Sequence, residues 1–422
     1  MTLDEAIAQA LETNYSIKIS KARQAQAHND NTRGNAGMLP VVSGNAQKIY
    51  NLANINQVFF PINGSVRDPL SLTGINTNNS NSNIAATWTI FDGLGMFATA
   101  ERLKEIENLG KTNVKIAIEN TVAQVCVAYY DIIRQKQRLK ALKNALDISK
   151  TRRELAKVNY EVGTSSKSDY LAAQVDFNQD EAAVVGQEQS LQNAKVNLNA
   201  QLLRDMATDF MVSDTIIFNK NLVLSQLRQN TLIRNPNLTV LELGKQVAIL
   251  AEKETRSFRM PQIDLVGGLA YTTSANNATS GFGIKNGDNT ALNYGARVSI
   301  NIFDGYNQKR REQNAKINTT IAHYQIGDLK NQLQAFLERT FNVYQNSLKL
   351  YNLEAQNLKI AKQNVGLAFE RYKFGNSTPI EFREAQRNAV ATESRLIEAA
   401  FNVKITEIEL LRLSSSIMED VR

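Results

Sequence analysis

Along the chain, the apolar positions change period in the same order twice. In the second half, Ile263, Leu265, Gly267, Leu269 and Tyr271 occupy alternate positions, as do Ala296, Val298, Ile300 and Ile302. A period of two puts each set on one side of a strand. Ile84, Ala86, Trp88 and Ile90 in the first half follow the alternation more loosely. Strands of about nine to eleven residues with one apolar side are what a membrane-spanning β-barrel needs. Residues 51–82 and 273–292, between the members of each strand pair, are rich in Asn, Ser, Thr and Gly, as in Asn76-Thr77-Asn78-Asn79-Ser80-Asn81. They are expected to form solvated surface loops or disordered segments.

Elsewhere the pattern is helical. Residues 2–37 read as helix, stopped by Pro40. No proline interrupts Gly93 to Tyr160 or Gly305 to Tyr372. At about 1.5 Å per residue, each stretch of about 68 residues would reach roughly 100 Å as continuous helix. Within the first, Ala128, Ile132, Gln135, Leu139, Leu142, Leu146 and Ser149 step by alternating four and three, a coiled-coil-like seam with polar breaks.

The recurrence is numerical. Ile90-Phe91-Asp92-Gly93 returns as Ile302-Phe303-Asp304-Gly305, and Tyr160, Gly163, Ala173, Gln174 and Glu181 return as Tyr372, Gly375, Ala385, Gln386 and Glu393, always 212 residues later. A constant offset means two copies of one element with no insertion between these motifs. Asn14 and Pro40 correspond to Asn235 and Pro261 at an offset of 221, so the first copy carries extra residues between its proline and its Ile-Phe-Asp-Gly, expected in a loop. Each copy reads as helix, two strands, a very long helix, a glycine turn and another helix.

Composition narrows the classes. Only 6 prolines punctuate 422 residues, which suits long helices better than a compact enzyme. The net charge of +7 does not point to nucleic acid, because basic and acidic residues alternate through most of the helical segments; the densest basic stretch, Arg134–Arg153, reads as a solvated helix face. Cys126 stands alone in an apolar run and is expected to pack. His28 and His323 have no neighbouring ligand at metal spacing, so no metal, cofactor or catalytic residues are expected. Gly93-Leu94-Gly95-Met96-Phe97-Ala98 imitates a dinucleotide fingerprint, but its repeat partner lacks the second glycine and no acid-ended parallel strand follows. No apolar run is long enough for a transmembrane helix, and helix-like sequence starts at Thr2, as expected where a secretory leader has been removed. Any membrane contact must therefore be made by strands.

Four strands cannot close a barrel, since about eight is the practical minimum, and open sheet edges are not tolerated in lipid. The chain must oligomerise if it spans; a dimer would supply eight strands and a trimer twelve.

The twofold order of helix, strand pair, long helix, glycine turn and helix, with its paired Phe-Asp-Gly strand ends, resembles the TolC-like outer-membrane efflux family over the whole chain, residues 1–422. On this reading the first structural repeat is 1–212 and the second 213–422. The resemblance implies a helix-dominated protein with four transmembrane strands per chain. It implies a homotrimer whose twelve-strand barrel lies in outer-membrane lipid of a Gram-negative bacterium, and whose twelve-helix tunnel enters the periplasm. It also implies a non-enzymatic exit duct that takes small molecules from a periplasmic adaptor, or membrane fusion protein, and an inner-membrane transporter. A type I protein-secretion conduit shares that fold, and a periplasmic coiled-coil scaffold without a pore is the alternative from another class; the strands count against the scaffold.

By the same resemblance, Val162-Gly163-Thr164 and Phe374-Gly375-Asn376 match the hairpin tips where adaptors dock. Glu381 and Glu384 match the acids of the closed aperture, with pKa values raised where like charges meet. Asp169 matches an acid that bonds to the tyrosine at Tyr372. Ser377 stands where an arginine commonly completes the closing network. Read without the family, Glu384 is an exposed helical acid able to pair with Arg387.

Overall fold

The computed structural model describes residues 1–66, 68–212, 215–277 and 285–420. Their elements run α1 (Leu3–Thr13), α2 (Tyr15–Asp30), β1 (Val41–Gln57), β2 (Leu70–Phe91), α3 (Gly95–Glu161), α4 (Lys167–Leu202), α5 (Leu224–Arg234), α6 (Pro236–Ser257), β3 (Gln262–Asn276), β4 (Asn286–Ser299), α7 (Asn307–Lys373), α8 (Pro379–Leu413) and α9 (Ile417–Asp420). The long helices α3 and α7 are each 67 residues, as the absence of proline allows. No described helix is long and apolar enough to cross a membrane. The chain forms two compact units, one of residues 26–107 and 244–322, the other of residues 1–25, 108–243 and 323–422.

The first unit holds an antiparallel sheet in the order β1-β2-β3-β4. Pro40 and Pro261 immediately precede β1 and β3, where a missing N–H costs no ladder bond. Register sorts the side chains into two faces. One row runs Gly44, Ile84, Leu269, Leu292, and the next Val42, Ala86, Gly267, Tyr294. Leu265 with Trp88 and Ala296, and Ile263 with Val298, complete an apolar face that is open to the surroundings; Leu292 and Tyr294 are 71% and 87% exposed. The other face carries Asn45, Asn83, Ala270 and Ala291 in one row and Thr87, Val266 and Gly295 in another. There Asp264, almost fully buried, pairs with Arg297 at 2.8 Å and accepts from Thr89 Oγ1 at 2.8 Å. The strands of membrane barrels carry one apolar and one polar face, and this sheet has both. Ile263 to Tyr271, at about 3.3 Å per residue and a tilt of about 40°, covers roughly 23 Å, close to the apolar band of outer-membrane barrels.

In the sheet, three details differ from the sequence expectation. The strands are 14 to 22 residues long, so much of 51–82 and 273–292 is strand rather than loop; Asn76 to Asn81 pair with β1, and Thr77 to Asn81 with β3 as well. Side chains that meet water on both sides leave no alternation to read, while the backbone ladder continues unaffected. Residues 278–284 of the second expected loop lie outside the described residues. The second difference is a bulge between Thr89 and Phe91, which sets Phe91 rather than Ile90 opposite Ile263. Lastly, Ile300 and Ile302 fall beyond the end of β4.

The helical unit is held by two apolar clusters. One gathers Val122, Tyr129 and Ile133 of α3 with Leu198 of α4, Ala6 of α1 and Ile408 of α8; the other joins Leu337 and Tyr344 of α7 to Val403 and Leu410 of α8 and Leu227 of α5. Cys126 is buried in the first as a packing residue. The stepped seam on α3 is buried or half-buried throughout, and its polar member Gln135 accepts from Gln187 Nε2 at 2.7 Å.

Residues 2–37 are not one helix, because Asn14 divides α1 from α2. Its Oδ1 accepts from Ser16 N at 2.8 Å, and its Nδ2 donates to the carbonyl of Gln201. Asn235 repeats both bonds between α5 and α6, accepting from Asn237 N and donating to the carbonyl of Leu413. Asparagine offers the backbone this local partner in place of the helical one, which is why it breaks a helix cheaply.

Candidate functional site

The two helical hairpins of the second unit end in matched turns. At the end of α3, Gly163 N donates to Tyr160 O at 3.0 Å and Thr164 N to Asn159 O at 2.9 Å; at the end of α7, Gly375 N donates to Tyr372 O at 3.0 Å and Asn376 N to Arg371 O at 2.8 Å. These crossed bonds satisfy the last helical carbonyls and require a left-handed residue, supplied by Gly163 at φ 79° and Gly375 at φ 73°. Val162, Gly163, Thr164, Phe374, Gly375 and Asn376 are all exposed, and open space lies where a Cβ would stand on either glycine.

The next helix starts at once. Ser166 caps α4, its Oγ accepting from Asp169 N, and Thr378 caps α8, accepting from Glu381 N. Asp169 Oδ2 accepts from the hydroxyls of Ser166 at 2.8 Å and Ser165 at 2.9 Å; Glu381 Oε2 accepts from Ser377 Oγ at 2.6 Å. These contacts hold both acids below the usual carboxylate range, Asp169 mainly through Ser166 and then Ser165, Glu381 mainly through Ser377. Because their folded values are lowered, the stabilisation is complete above the unfolded carboxylate range and fades as pH falls through the lowered values.

Three contacts within the chain bear on the expected site residues. Within one chain the carboxylate of Asp169 is engaged by Ser165 and Ser166. Tyr372 stacks on Phe382 at 5.6 Å, as Tyr160 stacks on Tyr170 at 6.3 Å in the other hairpin. Within one chain Glu381 is lowered rather than raised, since a hydroxyl donor and not a second acid faces it. Glu384 accepts from Asn388 Nδ2 at 3.2 Å and forms no ion pair with Arg387. Glu381 and Glu384 are brought together on the exposed first turns of α8; Asp169 sits on the matching turn of α4.

Ser165, Ser166 and Thr378 were not singled out in the sequence, and Ser377 was read only as the place of a missing arginine. Ser166-Lys167-Ser168-Asp169 and Thr378-Pro379-Ile380-Glu381 carry the hydroxyl-x-x-acid spacing of a capping box, and that spacing was the available signal. A buried group of Arg152, Asp176, Asp180 and Arg383 was also missed; its members lie far apart in sequence and have no shared spacing.

With this geometry in hand, the comparisons are consistent. The family model for outer membrane efflux proteins matches residues 6–202 and 227–415, so the chain belongs to that family of outer-membrane efflux channels. A search of curated protein sequences gives no match. Among solved structures, the chain is similar to the outer-membrane channel OprN, with 17% identity, 98% of this chain and 90% of that chain covered and a TM-score of 0.78. It is also similar to the outer membrane protein VceC of Vibrio cholerae (16% identity, 97% and 95% covered, TM-score 0.75) and to the Campylobacter jejuni CmeC outer membrane channel (13% identity, 98% and 86% covered, TM-score 0.78). Fold and family are those of channel proteins.

Proposed function

We propose that three copies of this chain close a twelve-strand barrel in the outer membrane and form a helical duct that passes small molecules outward from a periplasmic adaptor and an inner-membrane pump. The carrying observation is the sheet: among the described residues β1 and β4 each pair on one side only, and the apolar face between those free edges is bare. Unpaired N–H and C=O groups cannot stay open in lipid, so the edges must meet those of other copies. Family membership favours three copies over two. Residues 1–212 and 213–422 then act as two repeats, each giving one strand pair and one helical hairpin. The detergent-solubilised protein is expected to have the mass of a trimer by light scattering corrected for bound detergent; a stable monomer free of detergent would refute the barrel.

The exposed glycine turns are the docking points for the adaptor, and Glu381 with Glu384 forms the aperture. A Cβ at Gly163 or Gly375 meets no neighbour, so the main cost of Gly163→Trp and Gly375→Trp is the left-handed backbone, about 1–2 kcal/mol. Trimer yield is expected to stay near normal while adaptor-dependent export of a dye or antibiotic is lost. Normal export by both variants removes the tips from the mechanism.

A further inference from the structure

Arg383 lies between Glu381 and Glu384 in sequence, yet its side chain is only 11% exposed. Its Nη1 and Nη2 donate to Asp180 of α4 at 2.7 and 2.9 Å, and its Nε lies 3.3 Å from Asp176. Asp176 accepts from Nη1 of Arg152 on α3 at 2.5 Å, and Arg152 is 3% exposed. Two guanidinium groups and two carboxylates from three helices thus make a neutral quartet. Gln386, one turn along α8, donates to Ala145 O and Ser149 Oγ at 2.9 Å each, and Ser149 in turn donates to Asp180.

Such a cluster is a poor device for permanent attachment. Desolvation offsets most of the attraction in a buried ion pair, and apolar side chains of the same volume usually hold helices as well or better. This one is also incompletely satisfied, since Nε of Arg152 and Nε of Arg383 are buried without a hydrogen-bond acceptor. Charges that water can take up again suit a contact that is made in one position of a helix and released in another.

The repeat supplies a second, independent observation. At the offset of 212, the counterparts of Arg383, Asp176, Asp180 and Arg152 are Leu171, Asn388, Thr392 and Asn364, none of them charged. Leu171 is exposed rather than buried. Of two equivalent sets of positions, only the one that grips α8 is charged, and α8 carries both Glu381 and Glu384.

We propose that this quartet is a releasable clamp that sets where the first turns of α8 stand, with Arg383 a positioning residue for the constriction and not a member of its ring. The proposal rests on the reading of Glu381 and Glu384 as the aperture. In planar bilayers, Arg383→Asp in the purified full-length channel is expected to raise resting conductance at least about threefold, because a constriction whose wall moves outward no longer limits flow. Amide exchange over residues 379–388 is expected to quicken in parallel. Arg383→Asp combined with Asp180→Arg restores two charges of each sign and is expected to return both readouts to the parent level. Arg383→Met, apolar and of similar length, is expected to assemble even if charge reversal prevents assembly, and to leak as well. An assembled Arg383 variant with parental conductance overturns the proposal even if exchange quickens, and so does a swapped double variant as leaky as the single. Glu381→Ala with Glu384→Ala separates the two readings: unchanged ion selectivity alongside leaky Arg383 variants removes the glutamates from the aperture and leaves the clamp acting on a constriction elsewhere.

Discussion

Leu269→Arg is expected to abolish assembly, whereas Ala270→Arg, one residue further on, is expected to be tolerated. Leu269 lies in the apolar row with Ile84 and Leu292; Ala270 lies in the row with Asn83 and Ala291. An arginine on the lipid side well inside the apolar band costs about 2 kcal/mol or more, and a trimer pays it three times, roughly 6 kcal/mol, a large part of ordinary folding stability. On the inner side, water and the neighbouring asparagine receive the same guanidinium at little cost. Recovery of heat-resistant oligomer from outer-membrane fractions reads the contrast. Equal recovery of the two variants would show that the apolar face does not meet lipid.

Removing the acids at the head of α8 should change what the channel admits. Glu381 and Glu384 are three residues apart, both exposed, and Glu381 is held ionised by Ser377. Threefold symmetry would bring six carboxylates to one constriction, which attracts cations and binds multivalent ones. In Glu381→Ala with Glu384→Ala, the reversal potential under a salt gradient is expected to lose most of its cation bias, and block by a trivalent cation to weaken by about tenfold or more. Tyr372→Phe keeps the ring that stacks on Phe382 and removes only the hydroxyl; with the bond to Asp169 that the resemblance implies lost, resting conductance is expected to rise. Unaltered selectivity and block in the double alanine variant would return these glutamates to the status of ordinary surface acids.

The features legible in sequence were those that repeat or that meet two different environments. Pro40, Pro261 and the Phe-Asp-Gly pairs marked where strands begin and helices follow, and the alternation from Ile263 to Tyr271 named a real face because one side of the sheet is apolar and the other carries Asp264, Arg297 and Asn83. Where that contrast ends the signal ends too, so Asn76 to Asn81 read as loop although their backbone is fully laddered. Asn14 was visible only as half of a matched pair; that it breaks a helix depends on the carbonyl of Gln201, far along the chain. At the hairpin ends the glycines were legible from their type, since few other residues accept positive φ. The partners of the acids within the chain were not, because Asp169 and Glu381 are held by neighbouring hydroxyls, Ser166 and Ser377, to which the sequence pattern drew no attention as donors.

The long polar reach of β2 bears on tolerance to change. Within the apolar band, a slip of one residue would turn every greasy side chain inward, so pairing there has a single acceptable solution. Beyond Ser82, asparagine, serine and threonine point both ways, and neighbouring alignments differ little in energy. Alignment of the outer segment is therefore inherited from the band below it, much as the open end of a zipper follows its closed end. Insertion of a short tag beside Asn63 and Gly64 meets no packing neighbour at Gly64, although both residues hold a left-handed backbone that is best kept, and that stretch is where the chain can be extended without disturbing the wall beneath.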